Sequence, residues 1–117
     1  MEFTDNKTGI KYQISKVSFE LKLNWGEAIS VCNNLGDGWK LPTITELEII
    51  YKQFFKNGEH DLKEGSYWSS NEENEDLALY YIFYGQGFSA KCYKDYPLYV
   101  RPIRIEAVKG GVIVNQE

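Results

Sequence analysis

The chain has 117 residues, a common length for one domain and enough to bury a core without a disulfide scaffold or a structural metal. Its 17 acidic and 13 basic residues give a net charge of −4, and the lysines are scattered, which argues against nucleic acid and anionic membranes as partners. The sequence contains no apolar leader and no apolar run of about 18 residues, so we expect neither a signal peptide nor membrane insertion. We predict a single domain over residues 1–117.

Near the start of the chain, residues 10–14 and 17–21 alternate apolar with polar side chains and predict paired strands or a hairpin. Asn24 and Glu27 then have the spacing of a capping box, which predicts that a helix begins there. The glycines of the segment 36–38 end it. One face of this helix is apolar and is formed by Trp25, Ala28, Ile29, Cys32 and Leu35.

A second capping box, Thr43 with Glu46, predicts a second helix that starts at Thr43. Two helices followed by a β meander predict an α+β fold. Residues 107–117 are predicted to form a tail or an added edge strand. The meander strands are the β-branched or aromatic-rich runs 77–84, 88–93 and 98–105, with a tight hairpin at 85–87 between the first two.

Four short signatures occur in a fixed order along the chain. They are Trp25-x-x-Ala28-x-x-x-Cys32-x-x-Leu35, Gly38-Trp39-Lys40-Leu41-Pro42-Thr43-x-x-Glu46-Leu47, Tyr67-Trp68-Ser69-Ser70 and Tyr99-Val100-Arg101-Pro102-Ile103-Arg104. Over residues 25–105 the chain therefore resembles the bacterial domain family that ends the collagen-like adhesin of Legionella, a branch of the C-type-lectin-like superfamily. The resemblance implies a C-type-lectin-like fold with two helices packed on antiparallel sheets, a variable binding surface, and an extracytoplasmic or cell-surface location.

The aromatic residues of these signatures are interpreted as structural. Trp39 and Pro42 flank Leu41 between the two helices, and we expect the Trp39 indole to fill the core beneath the sheet. Trp68 is expected to anchor a loop whose serine hydroxyls satisfy turn amides. Trp25 belongs to the apolar face of the first helix. Stacking of Trp39 on a ligand is the alternative.

Arg101 and Arg104 are an odd number of positions apart in the last predicted strand, so they must point to opposite faces. One of them is therefore expected to be partly buried. A buried arginine needs a carboxylate or several carbonyls, and Glu46 in the first turn of the second helix is the predicted partner. The alternative is that either arginine is a surface charge.

Cys32 and Cys92 permit one disulfide, but two buried free thiols are the favoured interpretation. Members of the superfamily join the first helix to a late strand by a bridge, whereas this chain has Pro102 where relatives carry a second cysteine. The only histidine, His60, lies in a charged loop and is expected to be exposed. We find no catalytic motif and predict no enzyme activity and no cofactor, with redox chemistry at the two cysteines as the alternative.

The acidic run 72–76 offers oxygen atoms of the kind that Ca²⁺ prefers. Its spacing lacks the regular alternation of a calcium loop, and the sugar-binding calcium motifs of true C-type lectins are missing from the chain. We therefore predict a solvated acidic loop and no metal site, with calcium binding as the alternative.

After the core candidates are set aside, a polar and aromatic cluster remains on the predicted meander. Tyrosine gives broad contact area at low entropic cost, so such a cluster is typical of a binding surface. Some of its tyrosines must instead be core residues, because they alternate along a strand. The predicted ligand-binding residues are Tyr84, Gln86, Lys91, Tyr93, Asp95 and Tyr96, with Tyr80 and Lys94 beside them.

These features together favour a noncatalytic recognition or adhesion module that binds a protein or glycan through the late meander and its loops. The alternative is a structural assembly or fibre-tip domain that self-associates as a homo-oligomer or packs on a neighbouring domain. Relatives of the Legionella adhesin are associated with sulfated polysaccharides. The acidic charge of this chain argues against transferring that ligand class.

Overall fold

A computed structural model describes residues 1–16, 22–58 and 62–106 of the chain. The predicted strand at 17–21, the predicted tail at 107–117 and His60 lie outside the described residues. No helix in the described ranges is long and apolar enough to cross a bilayer. The elements are β1 (Glu2–Thr4), β2 (Lys11–Ile14), α1 (Trp25–Asn34), α2 (Ile44–Ile50) with a π-helical turn (Tyr51–Phe55), β3 (Gly65–Glu72), β4 (Leu77–Phe83), β5 (Phe88–Tyr93) and β6 (Ile103–Ile105).

The strands form two three-stranded antiparallel sheets. The terminal sheet has the order β1-β2-β6, and the meander sheet has the order β3-β4-β5. Helix α2 packs against β3 and β4, and α1 packs against β3. The predicted α+β class, with two helices on antiparallel sheets, is confirmed.

Both helices begin where their capping boxes predict. The Asn24 side chain accepts from the Glu27 amide at 2.9 Å, and Glu27 accepts from the Asn24 amide at 3.0 Å. At α2, Thr43 accepts from the Glu46 amide at 3.1 Å while Glu46 accepts from the Thr43 amide at 2.9 Å. These reciprocal bonds satisfy amides that have no partner within the helix, so the sequence sets both helix starts locally.

The meander sheet is covered on both faces by apolar side chains. Tyr67 and Tyr81 are opposite each other on β3 and β4 and belong to one core cluster. Trp68 and Ala78 belong to a second cluster. Strand alternation separates these two sets, because successive side chains point to opposite faces. The first cluster includes Leu47, Ile50 and Tyr51 of the α2 segment, and the second includes Ala28 and Cys32 of α1.

Two strand predictions need correction, and a further strand had no prediction. Residues 67–70 were expected in a loop but lie within β3. The three residues of β1 carried no strand signal, and they form a strand by pairing with β2. Of the predicted strand 98–105, only Ile103–Ile105 is a strand, because Pro102 has no amide hydrogen to donate to a ladder.

The segment before Pro102 closes one edge of the meander sheet. The Trp68 amide donates to the Tyr99 carbonyl at 3.0 Å, and the Tyr99 amide donates to the Ser66 carbonyl at 3.0 Å. The Ser70 amide donates to the Pro42 carbonyl at 2.8 Å. At the other edge of this sheet, β5 pairs with β4, and its outer side has no backbone partner among the described residues.

Candidate functional site

Two of the three motif tryptophans donate their indole N–H groups to backbone carbonyls. Trp68 is fully buried, and its indole N–H donates to the Leu23 carbonyl at 2.9 Å. Trp25 is half-buried, and its indole N–H donates to the Ser69 carbonyl at 2.8 Å. Pro42 is fully buried. These contacts tie α1 and the segment before it to β3.

Trp39 does not fill the core, so that prediction is wrong. It is half-buried and lines a surface recess. The guanidinium carbon of Arg104 lies 4.6 Å from the centroid of its ring, which is a cation–π contact. The physical reason is that Lys40, the next residue, bridges to Ile103 of β6 and brings Trp39 to the terminal sheet rather than beneath the meander sheet.

Arg101 precedes β6 and Arg104 lies within it, so the two arginines do not share one strand as predicted, although one of them is buried. Arg101 is buried and its Nε donates to the Ser15 carbonyl at 3.0 Å, whereas Arg104 is half-buried and its Nε donates to Gln13 Oε1 at 2.8 Å. The predicted pairing of an arginine with Glu46 is wrong. Glu46 is buried and instead accepts from Lys40 Nζ at 3.3 Å, since Lys40 lies closer along the chain to the α2 start.

Glu46 also faces the terminal sheet. Burial, together with the nearby Glu46 carboxylate, raises the pKa of Tyr12 to about 12. A buried carboxylate needs hydrogen-bond donors, and Glu46 has the Thr43 amide, the Lys40 ammonium and the Tyr12 hydroxyl. It therefore joins α2 to β2.

The predicted ligand-binding residues are exposed, but β5 separates them into two groups. We name Tyr84, Gln86 and Phe88 the hairpin cluster, and Tyr93, Asp95 and Tyr96 the turn cluster. The two groups lie about 17 Å apart at the ends of the six-residue strand, by the usual rise per residue. Between them, Lys91 is exposed and its Nζ lies 3.4 Å from Glu73.

The hairpin cluster has a firmly held backbone beneath it. Tyr84 is 62% exposed and Phe88 is 58% exposed. The Tyr51 hydroxyl donates to the Gly85 carbonyl. Gly87 has φ of +70°, and a Cβ added there would lie 2.7 Å from the Tyr51 ring, so only glycine fits. The π-helical turn thus supports the hairpin from inside. Phe88, which directly follows this glycine, is not among the site residues predicted from the sequence.

The turn cluster is held by Lys94. Its amide donates to the Asp76 carbonyl at 2.9 Å, and its carbonyl accepts from the Trp25 amide at 2.8 Å. Its ammonium lies 4.7 Å from the centre of the Trp25 ring and bonds Glu72. Tyr93 and Tyr96 are 66% and 59% exposed and flank this fixed turn. Lys94 therefore supports the cluster rather than offering a free charge to a ligand.

The acidic run beside the turn cluster is ion-paired. Glu72 pairs with Lys94 and Glu73 pairs with Lys91. The Asn74 side chain accepts from the amides at positions 76 and 77, at 2.8 and 2.9 Å, which closes the loop. Across the described part of the chain, no group of three or more acidic, histidine or cysteine side chains is arranged to hold a metal ion.

Both cysteines are free thiols in the structure. Cys32 is fully buried, and burial raises the pKa of its thiol to about 12. Cys92 is only half-buried, and burial, with a smaller contribution from Asp95, raises the pKa of its thiol. Thiols with raised pKa values are weak nucleophiles at neutral pH, so neither is activated for redox or covalent chemistry.

The architecture is that of a C-type-lectin-like protein. It matches the crystal structure of EMS16, described as an antagonist of the collagen receptor integrin α2β1, with a TM-score of 0.60 and 16% identity. The match covers 82% of this chain and 91% of that one, and at this identity it carries the fold alone. The chain belongs to the Lcl C-terminal domain family, whose model matches residues 2–104. The search of curated proteins gave no match.

Proposed function

We propose that this protein is a noncatalytic recognition module that binds a protein or glycan ligand through β5 and its two flanking clusters. One observation carries the proposal. Four of the five large apolar side chains that are most exposed in the described chain lie in the hairpin and turn clusters, and the fifth is Ile105. Exposed aromatic groups at both ends of one strand indicate an interaction surface.

The backbone of β5 adds to this surface. Its outer edge offers unpaired amides and carbonyls in the described structure. On the closed β3 edge, the backbone groups of residues 66, 68 and 70 already have hydrogen-bond partners. A partner can therefore combine hydrogen bonds to the strand with contacts to the tyrosines at its ends. Rigid support beneath both clusters lowers the ordering cost of binding.

Membership in an adhesin-type family supports an exported or cell-surface location. The raised pKa values of the two thiols support a role without covalent chemistry. A surface protein that recognises a partner needs an exposed contact area rather than activated groups, and the β5 surface has that character.

The test is an array of proteins and glycans probed with the purified chain, with and without Ca²⁺. Two double variants separate the surface: Tyr93→Ala/Tyr96→Ala removes the turn cluster, and Tyr84→Ala/Phe88→Ala removes the hairpin cluster. We expect at least one to lose a ligand that the parent binds, by about tenfold or more, because central aromatic contacts dominate binding energy. Lys52→Ala is the control, since Lys52 is exposed on the π-helical turn, outside both clusters and both sheets.

Each variant must keep the thermal midpoint of the parent. Binding that survives in both double variants, or that falls equally in Lys52→Ala, would remove β5 as the recognition surface. Binding that depends on Ca²⁺ would again make the acidic run 72–76 a candidate calcium site.

An assembly role is the second candidate, and the open β5 edge favours it. Two copies can extend one sheet by pairing their β5 strands. Lys91 works against this, because a lysine on an edge strand discourages such pairing. Sedimentation at micromolar concentration decides between the assembly role and the recognition role. Self-association that disappears in Tyr84→Ala/Phe88→Ala supports assembly. A monomer supports a free recognition surface.

A further inference from the structure

The outer face of the terminal sheet is a row of polar side chains. Glu2, Gln13 and Arg104 are directly opposite one another across β1, β2 and β6. Lys11 lies two positions before Gln13 on the same face, and the Glu106 amide donates to the Lys11 carbonyl at 2.9 Å. Trp39 packs on Arg104 at one side of this array. We name these residues the Trp39 face, and they share none with the clusters at β5.

Trp39 is the tryptophan whose indole N–H has no acceptor in the described structure. The indole N–H groups of Trp25 and Trp68 both donate to backbone carbonyls. No bond of this kind is made by Trp39, which is half-buried beside a recess of about 470 Å³. A donor left unused on an aromatic ring at the wall of a recess is available to a ligand.

Arg104 also has hydrogen-bond donors that are not used in the described structure. Its Nε is used by Gln13, and one terminal nitrogen reaches the Asp37 carbonyl at a long 3.4 Å. Within the described ranges it forms no ion pair with a carboxylate, whereas guanidinium groups usually find one. The Gln13 amide nitrogen also makes no hydrogen bond there, so the face offers several adjacent donors.

An acceptor is left over on the same face. One carboxylate oxygen of Glu106 is buried without a hydrogen-bond partner, and the other lies 3.7 Å from Lys11 Nζ. Glu2 and Glu106 share Lys11 as their cationic partner, since Lys11 Nζ lies 3.2 Å from the Glu2 carboxylate. Glu106 lines a second recess, of about 280 Å³, which shares Gln13 with the first.

Acidic and basic groups lie side by side in this region. Glu2, Asp37 and Glu106 are accompanied by Lys11, Lys16, Arg104 and the amino terminus of Met1, all of which line the two recesses or pair with residues that do. A face with charges of both signs and one excess positive charge gives little net attraction for a polyanion. It does present charged donors and acceptors side by side, which suits hydroxyl groups, because each hydroxyl both donates and accepts.

We propose that the Trp39 face binds an uncharged saccharide, with the Trp39 indole packing on a sugar ring and Arg104, Gln13 and Glu106 bonding its hydroxyls. This site is separate from the surface at β5 and does not depend on it. The larger recess, of about 470 Å³, falls in the size range of small-molecule pockets, about 300–1,000 Å³.

The test uses the full chain on an array that carries uncharged, uronate-bearing and sulfated oligosaccharides together with peptides. We expect binding to uncharged glycans. Trp39→Ala and Arg104→Gln should each weaken it by about tenfold or more, the effect of losing one strong polar or aromatic contact. Lys52→Ala is the control, since Lys52 is exposed on the π-helical turn outside both proposed surfaces, and it should bind uncharged glycans like the parent. The Tyr93→Ala/Tyr96→Ala variant is measured beside it to separate this site from the surface at β5.

A second readout keeps the test independent of folding effects in the variants. In ¹⁵N-labelled parent protein, the uncharged glycan with the strongest array signal should shift the indole N–H resonance of Trp39 and leave those of Trp25 and Trp68 unchanged. Binding of charged glycans or peptides alone, no glycan binding, or an unmoved Trp39 resonance would overturn the proposal. Loss of a ligand only in the β5 variants would overturn it while leaving the proposed function intact.

Discussion

At the scale of single residues, the surroundings of a side chain decide its use. Trp25 and Trp68 give their indole N–H groups to backbone carbonyls and hold elements together, whereas Trp39 keeps its donor at a surface recess. The two thiols also differ in their surroundings, since Cys32 is buried and Cys92 is half-buried on β5. The reactivity of these cysteines should therefore differ.

We expect a thiol reagent to label Cys92 in the native protein and Cys32 only after unfolding. Access limits Cys32, and the raised pKa values keep both thiols protonated at neutral pH, so labelling of Cys92 should accelerate as the pH rises. Mass spectrometry of timed labelling reactions measures both rates. In Cys92→Ser, native labelling should stop. Equal labelling of both native thiols would contradict the burial of Cys32.

At the scale of elements, the hairpin between β4 and β5 allows a close comparison of two glycines. Gly85 and Gly87 both have positive φ, +60° and +70°, yet a Cβ at Gly85 meets open space while a Cβ at Gly87 meets Tyr51. Gly85→Ala should cost about 1 kcal/mol of unfolding free energy from backbone strain, and Gly87→Ala clearly more. Urea denaturation measures both. Equal losses would show that Tyr51 does not hold the hairpin.

Local sequence signals predicted the elements well, whereas the sequence could not predict the long-range contacts. Each capping box lies within four consecutive residues, so the sequence contains everything that fixes α1 and α2. The bond between Gln13 and Arg104 joins residues 91 positions apart, and no pattern along the chain announces it.

The two candidate sites differ in the same respect, because only one of them could be predicted from the sequence. The exposed tyrosines at the ends of β5 could be predicted, because glycines and polar residues flank them. The break at Pro102 could have been predicted from its missing amide hydrogen. The Trp39 face could not, because it exists only once β1, β2 and β6 pair.

At the scale of the whole molecule, a buried thiol and a buried phenol make the fold sensitive to alkali. The neutral Cys32 thiol and the Tyr12 hydroxyl both have pKa values raised to about 12 by burial. In the unfolded chain these groups ionise near pH 8.5 and 10. Between those values and pH 12 the unfolded state holds fewer protons than the folded state, so stability falls as the pH rises.

We expect the unfolding free energy to fall from about pH 9 upward, at most by about 1.4 kcal/mol per pH unit for each such group. Urea denaturation at a series of alkaline pH values measures it. Cys32→Ala removes one of the groups and should show a shallower decline than the parent. A flat profile up to about pH 11 would mean that these groups are not enclosed as described.

The closed β3 edge limits what the meander sheet can build. Tyr99 and Pro42 occupy that edge, so in the part of the chain that the structure describes, β5 is the edge of this sheet that a strand from outside can join. Pairing of two molecules through β5 uses the open edge of each and leaves no further edge on the joined sheet. Contact through this sheet therefore stops at two copies, and a longer array of these molecules needs a different surface.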